Sequence, residues 1–242
     1  MTPRVAIICG MAFEAELLRR NNLHDVADII YGLDPEKLIH DIQNAIENGA
    51  SHLISFGTAA GIDPTLPSGA IVIASSIITD VQSPLQSTIQ STIPSKAQHW
   101  LETDQVFAQS LALLLRDALK KPMAGVDVPI DSVAQKHTLW ETLGASAADM
   151  ESHHIARIAE EHHLPFTVLR IVLDDANTAL PPAAMVATKP DGSIAYTRLI
   201  ASLLLHPMQI PAMMRLGKQH SAAKASLMHS ARLLSRALSS NR

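Results

Sequence analysis

The chain has 242 residues, 47% of them hydrophobic and 17% charged. That is enough apolar material for one sizeable core, and it excludes a disordered chain. A formal net charge of −4, with no basic stretch, argues against nucleic acid as a partner.

Aromatic residues make up only 3%, so the core must be aliphatic, with methionine filling its gaps. The single cysteine, Cys9, excludes an intramolecular disulfide and fits a reducing compartment. Only Arg4 precedes the first apolar run, which stops at Gly10, so the N-terminus does not read as a secretory signal. No stretch is long and apolar enough to span a bilayer. The expectation is a cytoplasmic protein, with peripheral contact to a membrane surface left open.

In chain order, Val5 to Cys9 reads as a buried strand, and Phe13 to Arg20 as a helix. Pro35 to Asn48 is a second helix with Leu38, Ile42, Ala45 and Ile46 as its apolar stripe, stopped by Gly49. A strand over His52 to Phe56 leads into a small-residue turn, Gly57-Thr58-Ala59-Ala60-Gly61, and a third strand covers Ala70 to Thr79. Residues 81–100, rich in Ser, Thr and Gln, show no period and read as an irregular excursion.

A helix follows over Thr103 to Leu119, then a strand near Gly125 to Ile130 and a helix over Met150 to His163. In that last helix Ile155, Ala156, Ile158 and Ala159 share a face. Phe166 to Leu173 is a strongly apolar strand. Strands alternating with helices predict a layered α/β fold. One domain is expected over 1–242, with a Pro-, Met- and Leu-rich extension from about 177 and a final helix over Ser221 to Leu238.

The chemistry-bearing constellation is Ala148-Asp149-Met150-Glu151 before a helix and Arg170 to Asp175 at a strand end. Loops at the carboxyl ends of strands are where open α/β sheets bind ligands. Two carboxylates facing one sugar suit glycosidic cleavage, one protonating the leaving group and one managing positive charge or the nucleophile. Acidic residues are also common in first helical turns and after strands, so spacing alone leaves the plain structural explanation open.

Four words, Gly10-Met11-Ala12-Phe13-Glu14, Gly57 to Gly61, Asp149-Met150-Glu151-Ser152 and Arg170 to Asp174, stand in the order and spacing of the nucleoside phosphorylase/nucleosidase superfamily. The resemblance spans most of residues 4–180. Among enzymes of small substrates the chain resembles methylthioadenosine/S-adenosylhomocysteine nucleosidase. The Asp-Met-Glu-Ser form, Lys136 and a tail containing Pro190-Asp191-Gly192-Ser193 are most similar to the hopanoid-associated branch, which removes adenine from adenosylhopane.

The resemblance implies a three-layer fold with a central mixed β-sheet flanked by helices, and it implies an adenine-nucleoside substrate. It makes Asp174 the acid that protonates adenine N7, with a pKa raised by burial, and Glu14 the group that positions attacking water. Glu151 would accept the ribose hydroxyls and favour an oxocarbenium-like transition state. Met150 would pack on the ribose, Thr58 and its turn would approach ribose or nucleophile, Arg170 would pair with a carboxylate, and Val128 and Pro129 would fall near the purine. A homodimer is the implied assembly.

The chain departs from relatives in having Leu173, rather than Ser, before the acid. It also lacks a cation in Ser55-Phe56-Gly57, where phosphorolytic relatives carry an Arg. Together with a carboxylate at Glu14 this favours water over phosphate; phosphate would be a co-substrate only if cleavage were phosphorolytic, and no other cofactor is expected.

Other readings are a nucleosidase of small soluble nucleosides and a non-catalytic nucleoside-binding protein of the same fold. A generic dinucleotide domain lacks its Gly-x-Gly-x-x-Gly. His153-His154 and His162-His163 read as solvated helix faces rather than metal ligands, because adjacent helical side chains diverge by about 100°. Lys136 reads as structural or surface, with pairing to a site carboxylate as the alternative. Leu199 to Leu216, flanked by Arg198, Arg215 and Lys218, fits core packing, a dimer interface, or a lipid-facing channel or surface.

Overall fold

The computed structural model describes residues 4–79, 81, 99–189 and 193–240. Its strands are β1 (Arg4–Cys9), β2 (Ala27–Tyr31), β3 (Ala50–Gly61), β4 (Ile71–Thr79), β5 (His99–Glu102), β6 (Leu119–Gly125), β7 (Ala147–Asp149) and β8 (Phe166–Asp174). The helices are α1 (Ala12–Arg20), α2 (Pro35–Glu47), α3 (Gln105–Leu114), α4 (Val133–Leu143), α5 (Ser152–Glu161), α6 (Pro182–Ala187), α7 (Tyr196–Leu205) and α8 (Ile210–Ser240).

Among the described residues the strands form one mixed sheet in the order β2-β1-β3-β7-β6-β4-β5, with β8 pairing both β3 and β4. The path β3–β7–β6–β4–β8–β3 therefore closes into a ring. β1, β3 and β8 run parallel, and β7 meets the last residues of β3 from the opposite direction.

Strand alternation builds two layers of core. Val5, Ile7 and Cys9 of β1 face α1, α3 and the later turns of α8, while Ala6 and Ile8 face α2 and α5. Fully burying an aliphatic side chain of this kind stabilises by about 1.5–3 kcal/mol. The four apolar positions expected to share a face of α5 are all buried in the second layer. α2 starts where Asp34 accepts from the amides of Glu36 and Lys37 and Pro35 supplies a preset first turn.

Several expected elements differ. Gly57 to Gly61 is no turn: it continues β3, paired with β8 from Gly57↔Arg170 to Ala59↔Val172, with a register shift before Ala60↔Asp174. The strand expected near Gly125 to Ile130 lies upstream as β6, where the register against β4 slips between Ala74 and Ile77, opposite Pro122. The helix expected over Thr103 to Leu119 ends at Leu114, and the last helix begins at Ile210 rather than Ser221. Of the excursion expected over 81–100, residues 82–98 lie outside the described residues, and His99 begins β5.

Candidate active site

Three strands and two loops deliver carboxylates to one place. β1 ends at Cys9, and Glu14 follows in the first turn of α1. β7 ends at Asp149, with Glu151 two residues on, and β8 carries Arg170 and ends at Asp174. Glu14, Thr58, Asp149, Glu151, Arg170 and Asp174 line one cavity of about 970 Å³. Much of the remaining wall is apolar, including Leu173, Leu180, Met185, Leu199, Met213 and Leu216.

Arg170 is the hub. Its Nε lies 2.8 Å from Asp149 Oδ2, and its Nη2 donates to Glu151 Oε2 at 3.0 Å and to Ser55 Oγ at 2.7 Å. A planar guanidinium serves several acceptors at once, which a lysine ammonium on a single stem does not reproduce. Asp149 Oδ1 also accepts from the amides of Glu151 and Ser152, which fixes the turn into α5 and with it the Glu151 carboxylate.

Glu14 is fully buried. Oε1 accepts from the Thr58 amide at 2.7 Å and the Thr58 hydroxyl at 2.8 Å, and Oε2 accepts from the Met11 amide at 3.0 Å. Gly57 permits this approach: a Cβ there would sit 2.7 Å from both Arg170 Nη1 and Glu14 Oε2. Gly10 does the same for Glu151, whose Oε1 would lie 2.5 Å from an added Cβ.

Asp149 and Glu151 thus share one guanidinium, with the Glu14 carboxyl buried in its field beside the cavity. Burial raises Glu14 above the ordinary carboxylate range against the pull of Arg170. Burial pushes Glu151 up to about 8, again against Arg170 and with Asp149 and Glu14 adding repulsion. Burial also raises Asp174, opposed by Lys136.

Lys136 takes the alternative reading, pairing with a site carboxylate. It lies in the first turns of α4, 0% exposed, and pairs with Asp174 Oδ2. Its Nζ also donates to the carbonyls of Asp175 at 2.7 Å and Thr178 at 2.8 Å. Gln219 of α8 closes the same loop, donating to Asp175 Oδ2 at 3.0 Å.

The sequence matches a family model described as Phosphorylase superfamily over residues 33–204. The chain belongs to the Phosphorylase superfamily. That membership makes it an enzyme, and the mixed sheet with flanking helices is the expected fold. No curated protein matches the sequence.

Solved structures share the superfamily fold at low identity. Native futalosine hydrolase of Helicobacter pylori aligns at TM-score 0.65 and 15% identity, over 100% of this chain and 97% of that one. The methylthioadenosine/S-adenosyl homocysteine nucleosidase of the same organism gives 0.66 and 14%, over 100% and 99%. That of Campylobacter jejuni gives 0.61 and 19%, over 90% and 99%.

Within this superfamily chain, Asp174, Glu14, Glu151, Met150, Thr58, Arg170 and Pro129 all border the cavity. Val128 does not: its side chain is 46% exposed, and Val126 and Ile130 line the wall in its place. Val128 lies in an exposed stretch, Asp127 to Pro129, between the buried Val126 and Ile130.

Arg170 pairs with carboxylates as expected, and Asp149 and Ser55 join Glu151 in holding it; the signal in the sequence is an arginine inside an apolar strand, which demands acceptors. His153 is no solvated residue either. It is buried, its Nε2 lies 2.9 Å from Asp127 Oδ1, and its ring centroid lies 3.9 Å from that of His154. Asp127, His153 and His154 bring their donor atoms within 4.8 Å of one another. His162 and His163 are exposed, as expected.

Proposed function

We propose that this enzyme hydrolyses the N-glycosidic bond of an adenine nucleoside whose ribose carries a large apolar group, adenosylhopane being the substrate that fits best. The supporting observation is the shared cavity, with carboxylates at one part of its wall and the aliphatic and methionine side chains of α6 to α8 along another.

Asp174 donates a proton to N7 as the C1′–N9 bond breaks, and the bonding pair leaves with adenine. Water adds to C1′ and gives its proton to Glu14. Glu151 receives the ribose hydroxyls, Met150 packs on the sugar, and Thr58 holds Glu14 in place. Pro129, with Val126 and Ile130, borders the purine. Hydrolysis is favoured over phosphorolysis because Arg170, the cation nearest Thr58, is already committed to Asp149, Glu151 and the Thr58 carbonyl. A phosphate beside Glu14 would meet a buried carboxylate.

Among the described residues no single helix is long and apolar enough to cross a membrane; α7 and α8 reach that length and hydropathy only together, across a bend of 110°. We read their outer face as a peripheral membrane contact through which a lipid-linked substrate enters. The second reading, a small-nucleoside nucleosidase working as a homodimer, is favoured by the fold shared with the methylthioadenosine/S-adenosyl homocysteine nucleosidases.

Adenine release from adenosylhopane and from methylthioadenosine, each with and without phosphate, tests the proposal. Release from adenosylhopane that needs no phosphate is expected. Faster turnover of methylthioadenosine overturns the lipid reading, and appearance of a sugar 1-phosphate overturns hydrolysis. Asp174→Asn is expected to lose activity by about 10²–10⁴; unchanged release in that variant removes Asp174 as the acid.

A further inference from the structure

Lys136 occupies an unfavourable place for a cation. It sits near the N-terminus of α4, where the helix dipole repels positive charge, and no part of it reaches solvent. The helix start is fixed by its own capping box, in which Ser132 Oγ accepts from the Gln135 amide and Gln135 Oε1 accepts from the Ser132 amide. Lys136 is therefore not needed to begin the helix. A buried ammonium in such a position must be held by acceptors, and its acceptors are Asp174 Oδ2 and the Asp175 and Thr178 carbonyls. Because Oδ2 is engaged by Lys136, Oδ1 is the Asp174 oxygen left for a ligand in the cavity.

Resting on the reading of Asp174 as the acid, we propose that Lys136 is a positioning residue that sets the pH range over which Asp174 carries its proton and fixes which carboxyl oxygen meets the base. An ammonium in contact favours the ionised carboxyl and so opposes burial. Among the described residues few other charges face the pair, and His220 and Lys224 of α8 line the same cavity. Asp175 follows Asp174 in the chain with its carboxylate held by Gln219 of α8, β3 contributes only Ala60 and Gly61, and Glu14, Asp149 and Glu151 are gathered around Arg170. Removing the ammonium leaves Asp174 protonated to higher pH. The alkaline limb of kcat/KM, which reports loss of the essential proton from the free enzyme, then moves up.

The test is the pH profile of kcat/KM for the wild type, Lys136→Gln, Lys136→Met and Lys136→Arg, on any adenine nucleoside the wild type cleaves. The two neutral variants are expected to shift the alkaline limb upward by about 1–3 pH units, and Lys136→Arg to keep it near the wild-type position. A limb that stays within about 0.3 unit in the neutral variants, or that shifts equally in Lys136→Arg, overturns the proposal. So does failure of both neutral variants to fold at every pH assayed, because the lysine would then be structural. Asp174→Asn, assayed alongside, separates the two ideas: activity retained there refutes the acid assignment itself, whatever Lys136 does.

Discussion

Arg170 balances the site at the scale of single residues. It pairs with Asp149 and Glu151 and carries the charge nearest in effect to Glu14, so Arg170→Met would leave buried carboxylates uncompensated. Loss of one partner from a buried ion pair costs about 3–5 kcal/mol, and urea unfolding at pH 8 is expected to show a drop of that size; a loss below about 1 kcal/mol would mean that the carboxyls are not held by this arginine.

Glu151 gives a second residue-scale expectation. Its folded pKa of about 8 lies above the ordinary 4.5, so the folded state keeps a proton that the unfolded chain has released, and stability falls as pH rises toward 8. His154, lowered by burial to about 4, together with the lowered His52 and His220, works in the opposite sense below 6.5 and is silent above it. Between pH 6.5 and 8 Glu151 alone should therefore lower wild-type stability by up to about 1.4 kcal/mol per pH unit, with the raised Glu14 and Asp174 acting in the same sense. Glu151→Gln should flatten that slope, and an identical slope in both proteins refutes the assignment. Glu14, Glu151 and Asp174 were legible in the sequence because they stand in recognisable words at element ends. The partners of Asp149 and Lys136 were not, since those contacts form across 21 and 38 residues of chain.

Helices and strands were readable where packing is periodic and hidden where pairing alone decides. β1 presents a continuous apolar run, and β4 and β8 are mostly apolar around Ser75-Ser76 and around Thr167 and Arg170. β2 lies at the sheet edge and is only partly buried, which blurs its pattern. α4 went unread because the stripe Lys136, Leu139, Leu143 places a lysine where a third apolar residue would have marked the face. β6 contains two lysines and Pro122, and it is a strand because β4 and β7 flank it. The join between β6 and α5 is tight: a Cβ on Gly125 would stand 2.2 Å from His153 Cβ. Gly125→Ala should therefore force strand and helix apart and cost about 1–3 kcal/mol. A thermal melt checks this, and an unchanged Tm would mean that the two elements are free to separate.

Charge and apolar exposure are divided unevenly over the whole molecule. All 23 Asp and Glu residues lie at or before Asp191, while seven of the 19 Lys and Arg follow it, so a −11 body is joined to a +7 tail. The same tail presents Leu204, Leu205 and Met208 at 77%, 76% and 90% exposure, with Arg198, Arg215 and Lys218 exposed nearby. Other side chains of α7 and α8, Leu199, Met213 and Leu216, line the cavity, so the exposed patch adjoins the substrate chamber. An apolar helical face rimmed by cations suits an anionic bilayer, where each cation near the surface contributes about 1 kcal/mol and salt weakens the attraction. Flotation with phosphatidylglycerol vesicles should carry the wild type upward, with much less on pure phosphatidylcholine and progressive release as salt is raised. Leu204→Asp with Met208→Asp should abolish flotation while leaving turnover of a detergent-dispersed nucleoside unchanged. If that double variant instead converts a dimer to a monomer in sedimentation experiments, and the wild type ignores anionic vesicles, the patch is covered by a second copy of the chain and the membrane reading fails.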